Sequence, residues 1–186
     1  MVYDKFIGII EGGDKAFRNA IEGAEDNAAM GAEDLMAYNP TPKDTIIGIS
    51  TSGTAPYVIG AIKKARQIGM LTGCLVCNEG SALAAECEIP VVTIVGPEFV
   101  TGSTRMKSGT ATKLVLNMIS TSVMILTGHV HGNKMVDMQL TNKKLVDRGT
   151  RMVMEKAGIE DYEKAKALLL EYGKVREAVQ AYKTSL

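Results

Sequence analysis

The stretch "TIIGISTSGTAPYVIGAIKKARQIG", Thr45 to Gly69, decides the fold. It opens with a short run, "TIIGIS" (45–50), that is apolar almost without interruption. Continuous hydrophobicity over strand length suits a strand covered on both faces, as in a parallel sheet. The run ends in hydroxyl residues and turns at Gly53. It then enters a helical pattern with Pro56 in the first turn and Gly69 at its stop. A second apolar run, "TGCLVC" (72–77), follows at once. Strand, helix and strand in this order make a β-α-β unit.

Working outward, two more runs have the same character, "KFIGII" (5–10) and "IPVVTIV" (89–95). Between the first run and Thr45 lies "DKAFRNAIEGAEDNAAMGAEDLMA", Ala-rich and acidic, which reads as helical. The alternation predicts an α/β fold, a three-layer αβα sandwich with a parallel sheet. Beyond residue 105 a long apolar helix is expected to about Leu126, ended by the glycines of "TGHVHGN". A more charged helix should run from roughly Met135 to Ala157. The tail reads as two short helices around Gly173, a small C-terminal helical module. The expected division is 1–148 for the α/β domain and 149–186 for the helical segment.

Composition narrows the function classes. The 186 residues are 46% hydrophobic, enough for one well-buried domain and an appendage. Formal net charge is zero and aromatics are 5%, so neither phosphate-backbone attraction nor base stacking is indicated, and no nucleic-acid partner is expected. No segment reads as a membrane span. The start "MVYDKFIGII" lacks signal-peptide architecture, which points to the cytoplasm. Cys74 and Cys77 form a C-x-x-C on an apolar run, with only Cys87 near them. Ordinary buried strand cysteines fit better than a metal site. His129 and His131 follow a helix end, where a C-terminal cation is the plain reading. Neither a metal nor another cofactor is expected.

Three segments carry chemistry. In "ISTSGTAPY" the residues Ser50, Thr51, Ser52, Gly53 and Thr54 join a strand end to a helix start. Ligands of open α/β sheets bind at the carboxyl ends of strands. Helix N-termini offer unpaired N–H groups that suit a phosphate. One hydroxyl suffices for a cap, so four argue for a ligand loop. The chain has no G-x-x-x-x-G-K-[ST] and no G-x-G-x-x-G, so the phosphate would sit on a sugar, not a nucleotide. The second segment is "TGSTRMKSGT". Ser103 and Thr104 are placed at its expected helix start, and Arg105 and Lys107 add charge. Cations oppose the macrodipole there, which suggests an anionic ligand or a carboxylate nearby. The third is "AIEGAEDNA", where Glu22 and Glu25 share a face if the segment is helical. On spacing alone, a solvated acidic face and a catalytic carboxylate both remain open.

The segments "AIEGAED" (20–26), "SGTAPYVIGAIKKARQIG" (52–69), "GPEFVTGSTRMKSGTATKLVLNMIST" (96–121) and "GNKMVDMQLTNKKL" (132–145) together resemble the N-acetylmuramic acid 6-phosphate etherase family of the sugar-isomerase (SIS) fold. The related glucokinase regulatory protein shares these blocks. The resemblance implies cleavage of the lactyl ether at C3 of the sugar phosphate, by proton abstraction at C2, elimination and hydration, without a cofactor. It implies Glu25 as the base and Glu22 as a sugar contact. Ser52 and its loop would hold phosphate, and Ser103 and Thr104 would hold phosphate or sugar hydroxyls. It also implies a homodimer. Members of the family carry an upstream Gly-Thr-Ser-Gly-Arg loop and an Ala-Ser-Glu-Cys-Pro-Pro segment that supplies the general acid. Neither occurs here, and Glu11 stands where alanine is usual. The expectation is a truncated member with little or no etherase activity alone. A non-catalytic sugar-phosphate sensor and an aldose–ketose isomerase are the alternatives.

Overall fold

The structure, a computed structural model, describes residues 6–19 and 21–185. Its first regular helix, α1, is Ala28–Met36, followed by β1 (Thr45–Ile49), α2 (Pro56–Gln67), β2 (Leu71–Val76), α3 (Ala82–Glu86) and β3 (Ile89–Val92). The three strands form one parallel sheet in the order β1-β2-β3. Gly48 of β1 is in register with Cys74 of β2, which is in register with Pro90 of β3. The fold is therefore α/β with a parallel sheet, as the sequence pattern predicts.

One sheet face carries the core. Ile62 of α2, Cys74 and Val76 of β2 and Leu83 of α3 are buried together, with Ile46, Val58 and Cys87 packed on them. Gly48 lets α2 settle close, since a Cβ there would lie 2.9 Å from Val58 Cγ1. On the opposite face Ile47, Ile49, Leu71 and Ile89 remain 36–52% exposed. A third layer would lie against those residues.

Two backbones meet where α1 crosses α2. A Cβ on Gly31 would sit 2.0 Å from the Tyr57 carbonyl oxygen, and one on Gly60 would sit 2.0 Å from the Ala28 carbonyl oxygen. Only hydrogen in place of a side chain allows this approach. Tyr57, itself buried, donates its hydroxyl hydrogen to Asp34 at 2.6 Å and ties the same two helices. Burial first, and then the Asp34 carboxylate, push the Tyr57 hydroxyl well above its ordinary pKa, so it stays a donor.

Two expectations are corrected here. Phe6–Ile10 form no strand, and the first of the four predicted runs contributes nothing to the sheet among the described residues; Lys5 lies outside them. A strand exists only by pairing, and among the described residues no neighbour pairs with this run. The acidic segment is also not one helix. It is a 3-10 turn over Gly13–Phe17, a second over Ala24–Asp26, and then α1. Gly23 at φ 73 breaks it, and Asn27 caps α1 by accepting the Met30 amide.

Beyond the sheet come α4 (Lys107–Leu126), a hairpin of β4 (Val130–His131) and β5 (Lys134–Met135), α5 (Lys143–Ala157), α6 (Tyr162–Tyr172) and α7 (Val175–Thr184). The helix expected from Met135 thus starts at Lys143, where Asn142 caps it, because Gly132 turns the preceding residues into the hairpin. Glycines in the left-handed region, Gly158 and Gly173, end α5 and α6. The chain divides into two compact units, 1–116 and 117–186, with the division inside α4. In the second, Val136, Met138, Met152, Val153, Ala165, Leu169, Val175 and Ala178 form one core. The boundary expected at 148/149 falls inside α5, whose Gly149, Thr150, Met152 and Val153 are all buried.

Contrary to the sequence expectation, α4 is long and apolar enough to cross a membrane by length and composition. Its apolar residues are interrupted by Lys113, Asn117 and several hydroxyl residues, which hid the run. Among its side chains only Ser108 is buried, while Leu114, Met118 and Ile125 are more than half exposed.

Cys74 lies in β2, Cys77 directly follows that strand, and Cys87 lies between α3 and β3. Cys74 and Cys77 are buried and Cys87 is half-buried. Burial, then the neighbouring Cys74, push the Cys87 thiol up to about 12. A thiol raised in this way is neutral at physiological pH, and only the thiolate attacks. Alkylation of Cys87 by iodoacetamide at pH 8 is expected to run about a hundredfold or more slower than that of a free thiol. Mass spectrometry of the labelled chain reads this directly, and modification at the free-thiol rate would contradict it.

Candidate functional site

The parallel sheet sends its strand ends to one edge, and two hydroxyl loops meet there. In the first, Ser50 follows β1 with its amide on the Leu75 carbonyl. The Ser50 hydroxyl accepts the Gly53 amide at 3.1 Å. Ser52 Oγ receives the Thr54 hydroxyl at 3.0 Å and the Thr54 amide at 3.3 Å. Asn78, just past β2, donates to the Thr51 carbonyl at 3.0 Å. Gly53 is obligatory in two ways. Its φ is +72, and an added Cβ would lie 2.3 Å from the Ser81 hydroxyl. The loop leads into α2 with Pro56 in the first turn and no side-chain cap on the helix end. The first amides of α2 are thus left for a ligand or water.

The second loop runs from the end of β3 to Lys107. Thr51 Oγ1 donates to Thr104 Oγ1 at 3.0 Å, so hydroxyls 53 positions apart in sequence touch. A cleft of about 190 Å³ opens beside this contact, lined by Cys77, Asn78, Glu98, Thr101, Thr104 and Ser108 among others. Glu98 is the charged residue in that lining.

Ser103 and Thr104 are not at the helix start. They sit in a turn before α4, which begins at Lys107. The end of α4 is closed by Glu98. Its Oε2 accepts the Lys107 amide at 3.1 Å and its Oε1 accepts the Ser108 amide at 3.0 Å. The Lys107 ammonium donates to the Pro97 carbonyl at 2.8 Å. Here is the carboxylate that the cations at a helix start suggested. The amides of Lys107 and Ser108 hold the Glu98 carboxyl below the ordinary value of 4.5. A lowered carboxylate stabilises the fold fully above that value and stops doing so as pH falls below it. Hydrogen exchange at the Lys107 and Ser108 amides should therefore stay slow from pH 7 to 5 and accelerate, beyond the intrinsic pH trend, only below pH 4.5. Loss of protection already at pH 6 would assign the cap to another group.

Glu22 lies on the turn before Gly23, and Glu25 lies in the 3-10 turn Ala24–Asp26, which packs against α2. Both carboxylates are exposed. The shared helix face expected of them is replaced by a turn and a short 3-10 segment, because Gly23 is left-handed. Ala20, which opens that motif, lies outside the described residues. Sequence reasoning missed Glu98. It precedes the amides it caps by nine and ten positions, far outside any capping-box spacing.

His129 and His131 serve the hairpin. His129 Nδ1 is 2.7 Å from Asp137 Oδ2, which Arg176 also approaches at 3.3 Å, and Lys156 Nζ is 2.8 Å from His131 Nδ1. Among the described residues no group of three His, Cys, Asp or Glu side chains is placed to hold a metal.

A parallel sheet with two hydroxyl loops and an uncapped helix N-terminus at one edge makes this an open α/β domain with a candidate ligand site at its strand ends. Residues 2–66 match the family model of the glucokinase regulatory protein N-terminal SIS domain. Over 177 residues the chain is 62% identical to the N-acetylmuramic acid 6-phosphate etherase of Bacteroides fragilis and 57% identical to that of Bacteroides thetaiotaomicron, covering 95% of its own length in each case. It is 54% identical to the enzyme of that name from Clostridium beijerinckii over 161 residues, 87% of this chain and 53% of that one. Over most of its length the chain is similar to proteins named N-acetylmuramic acid 6-phosphate etherase. It spans 63% and 64% of the length of the two Bacteroides relatives.

Proposed function

We propose that the protein containing this chain is a carbon–oxygen lyase that cleaves the D-lactyl ether of N-acetylmuramic acid 6-phosphate. The observation that carries this reading is the Thr51–Thr104 contact. It joins two hydroxyl loops at the strand ends, one of which leads into the uncapped α2, and the turn that bears Glu25 packs against that same helix. The phosphate would lie over the first amides of α2, held by Ser50, Ser52, Gly53 and Thr54. Ser103 and Thr104 would face the rest of the ligand, and Glu22 the sugar; Lys107, expected there too, has its ammonium on the Pro97 carbonyl. Glu25 would remove the C2 proton of the open-chain aldehyde. The C3–O bond then breaks, C2=C3 forms, and lactate leaves with a proton from a second acid. Water adds across the double bond and gives N-acetylglucosamine 6-phosphate. The sum is one substrate and one water in, two products out. Glu25 is exposed in the free chain, so its desolvation would come with the bound sugar. No cofactor is needed for these steps.

The same reading places the protein in the cytoplasm, in cell-wall amino-sugar recycling, as a homodimer without nucleic-acid or membrane partners. The exposed apolar residues of α4 support a protein partner there. The test is incubation of the intact protein with N-acetylmuramic acid 6-phosphate in deuterated water. D-lactate release with deuterium at C2 of the product is expected. A ketose product would make it an isomerase. The match to a regulatory-protein SIS model favours one other reading, a sugar-phosphate sensor. Tight ligand binding with no turnover in this assay would establish that one instead.

A further inference from the structure

We infer that Glu98 determines which part of the ligand each loop takes: its carboxylate closes the N-terminus of α4 to anions, so phosphate is confined to the Ser50–Thr54 loop and the Thr101–Thr104 side of the cleft receives sugar hydroxyls. The inference deepens the proposed function and rests on its placement of a sugar phosphate at this edge. Two helices begin at the edge, and they differ. The start of α2 has no side-chain cap. The start of α4 has both carboxylate oxygens of one residue on its first amides, at 3.1 and 3.0 Å.

Further observations agree. A phosphate oxygen at α4 would have to displace a covalently tethered carboxylate that already satisfies those donors. The cleft in front of α4 carries Glu98 as its charged lining residue, so a dianion entering it meets like charge, while a hydroxyl meets an acceptor. The Lys107 ammonium at this helix start is turned elsewhere, since Lys107 Nζ donates to the Pro97 carbonyl. At about 190 Å³ the cleft is also below the usual ligand-pocket size of roughly 300 Å³ and up. It therefore fits one end of a sugar phosphate and leaves the other end to the Ser50–Thr54 loop. Thr104, joined to Thr51, stands where the two ends would meet. Glu98 is thus a positioning residue that touches no reacting atom.

The test needs no turnover, so it separates this inference from the lyase assignment. Inorganic phosphate is titrated into the 186-residue chain and into Glu98→Ala, and amide resonances are followed by NMR. In the unsubstituted chain the Lys107 and Ser108 amides should not respond. In Glu98→Ala they should shift saturably, with apparent affinity at that end about two- to fivefold tighter, the scale of an anion at a helix N-terminus. Preference for N-acetylglucosamine 6-phosphate over inorganic phosphate should fall by a similar factor. Glu98→Gln keeps the shape and removes the charge; it should show a weaker response of the same kind and serves if the alanine variant does not fold. Phosphate shifts at Lys107 and Ser108 in the unsubstituted chain, or none in either variant, would overturn the inference.

Discussion

Gly60→Ala is expected to destabilise the 1–116 unit by about 2 kcal/mol or more, although alanine is the better helix former. Two terms of opposite sign decide this. Removing a glycine from a helix interior gains up to about 1 kcal/mol. Against that, the new Cβ would stand 2.0 Å from the Ala28 carbonyl oxygen, a backbone atom that cannot rotate away. Overpacking of this kind costs about 1–3 kcal/mol, and more where backbone must move. Gly31→Ala meets the Tyr57 carbonyl oxygen at the same 2.0 Å and should cost as much. The double variant should cost less than the sum, because the first substitution already parts the helices. Gly109→Ala in α4 is the control. Its nearest neighbour is the Thr104 carbonyl oxygen at 3.8 Å, so it should be neutral or stabilising. Urea unfolding of the four variants beside the unsubstituted chain checks this, and a Gly60→Ala midpoint at or above that of the unsubstituted chain would falsify the close crossing.

Glu25→Gln should lower D-lactate release from N-acetylmuramic acid 6-phosphate by about a thousandfold, within the range for a general base, with KM little changed. Glutamine keeps the shape and most hydrogen bonds but cannot accept the C2 proton. Deuterium exchange at C2 should fall in parallel, which a merely structural defect would not require. Glu22→Gln should instead raise KM by about tenfold, the loss of one charge-assisted contact. Undiminished lactate release by Glu25→Gln would move the base to another carboxylate. The two experiments are linked through the fold. The 3-10 turn that carries Glu25 rests on α2 and leads directly into α1. Parting α1 from α2 should therefore move the carboxylate as well as soften the unit.

The sheet was largely legible in the sequence, and residues 45–76 show why. There every local signal agrees: apolar runs of strand length, Pro56 at a first turn and Gly69 at a stop. The observed β1, α2 and β2 follow those bounds within a residue or two. The first predicted strand failed because a strand is not a local object, and Phe6–Ile10 have the right residues but no partner strand among the described residues. The acidic segment failed because alanine content outweighed Gly23 and Asn27, which were the true boundary signals. At the candidate site, the hydroxyl loops were readable as loops from their composition. That they touch through Thr51 and Thr104 was not, since their distance in space follows from strand order alone. The charges at the start of α4 suggested an anionic ligand or a carboxylate, but nothing local could name Glu98.

The Thr51–Thr104 contact has a further consequence, for the order of folding. Hydroxyls 53 residues apart meet only after β1, β2 and β3 have all been laid side by side. Such a contact closes late, because the entropy of the long loop between its ends must be met first by the sheet. The site is therefore a property of the completed sheet, absent from any partly assembled form. A ligand bridging the two loops would act as a lock on the last step and would slow the exchange of amides as far away as the central strand β2.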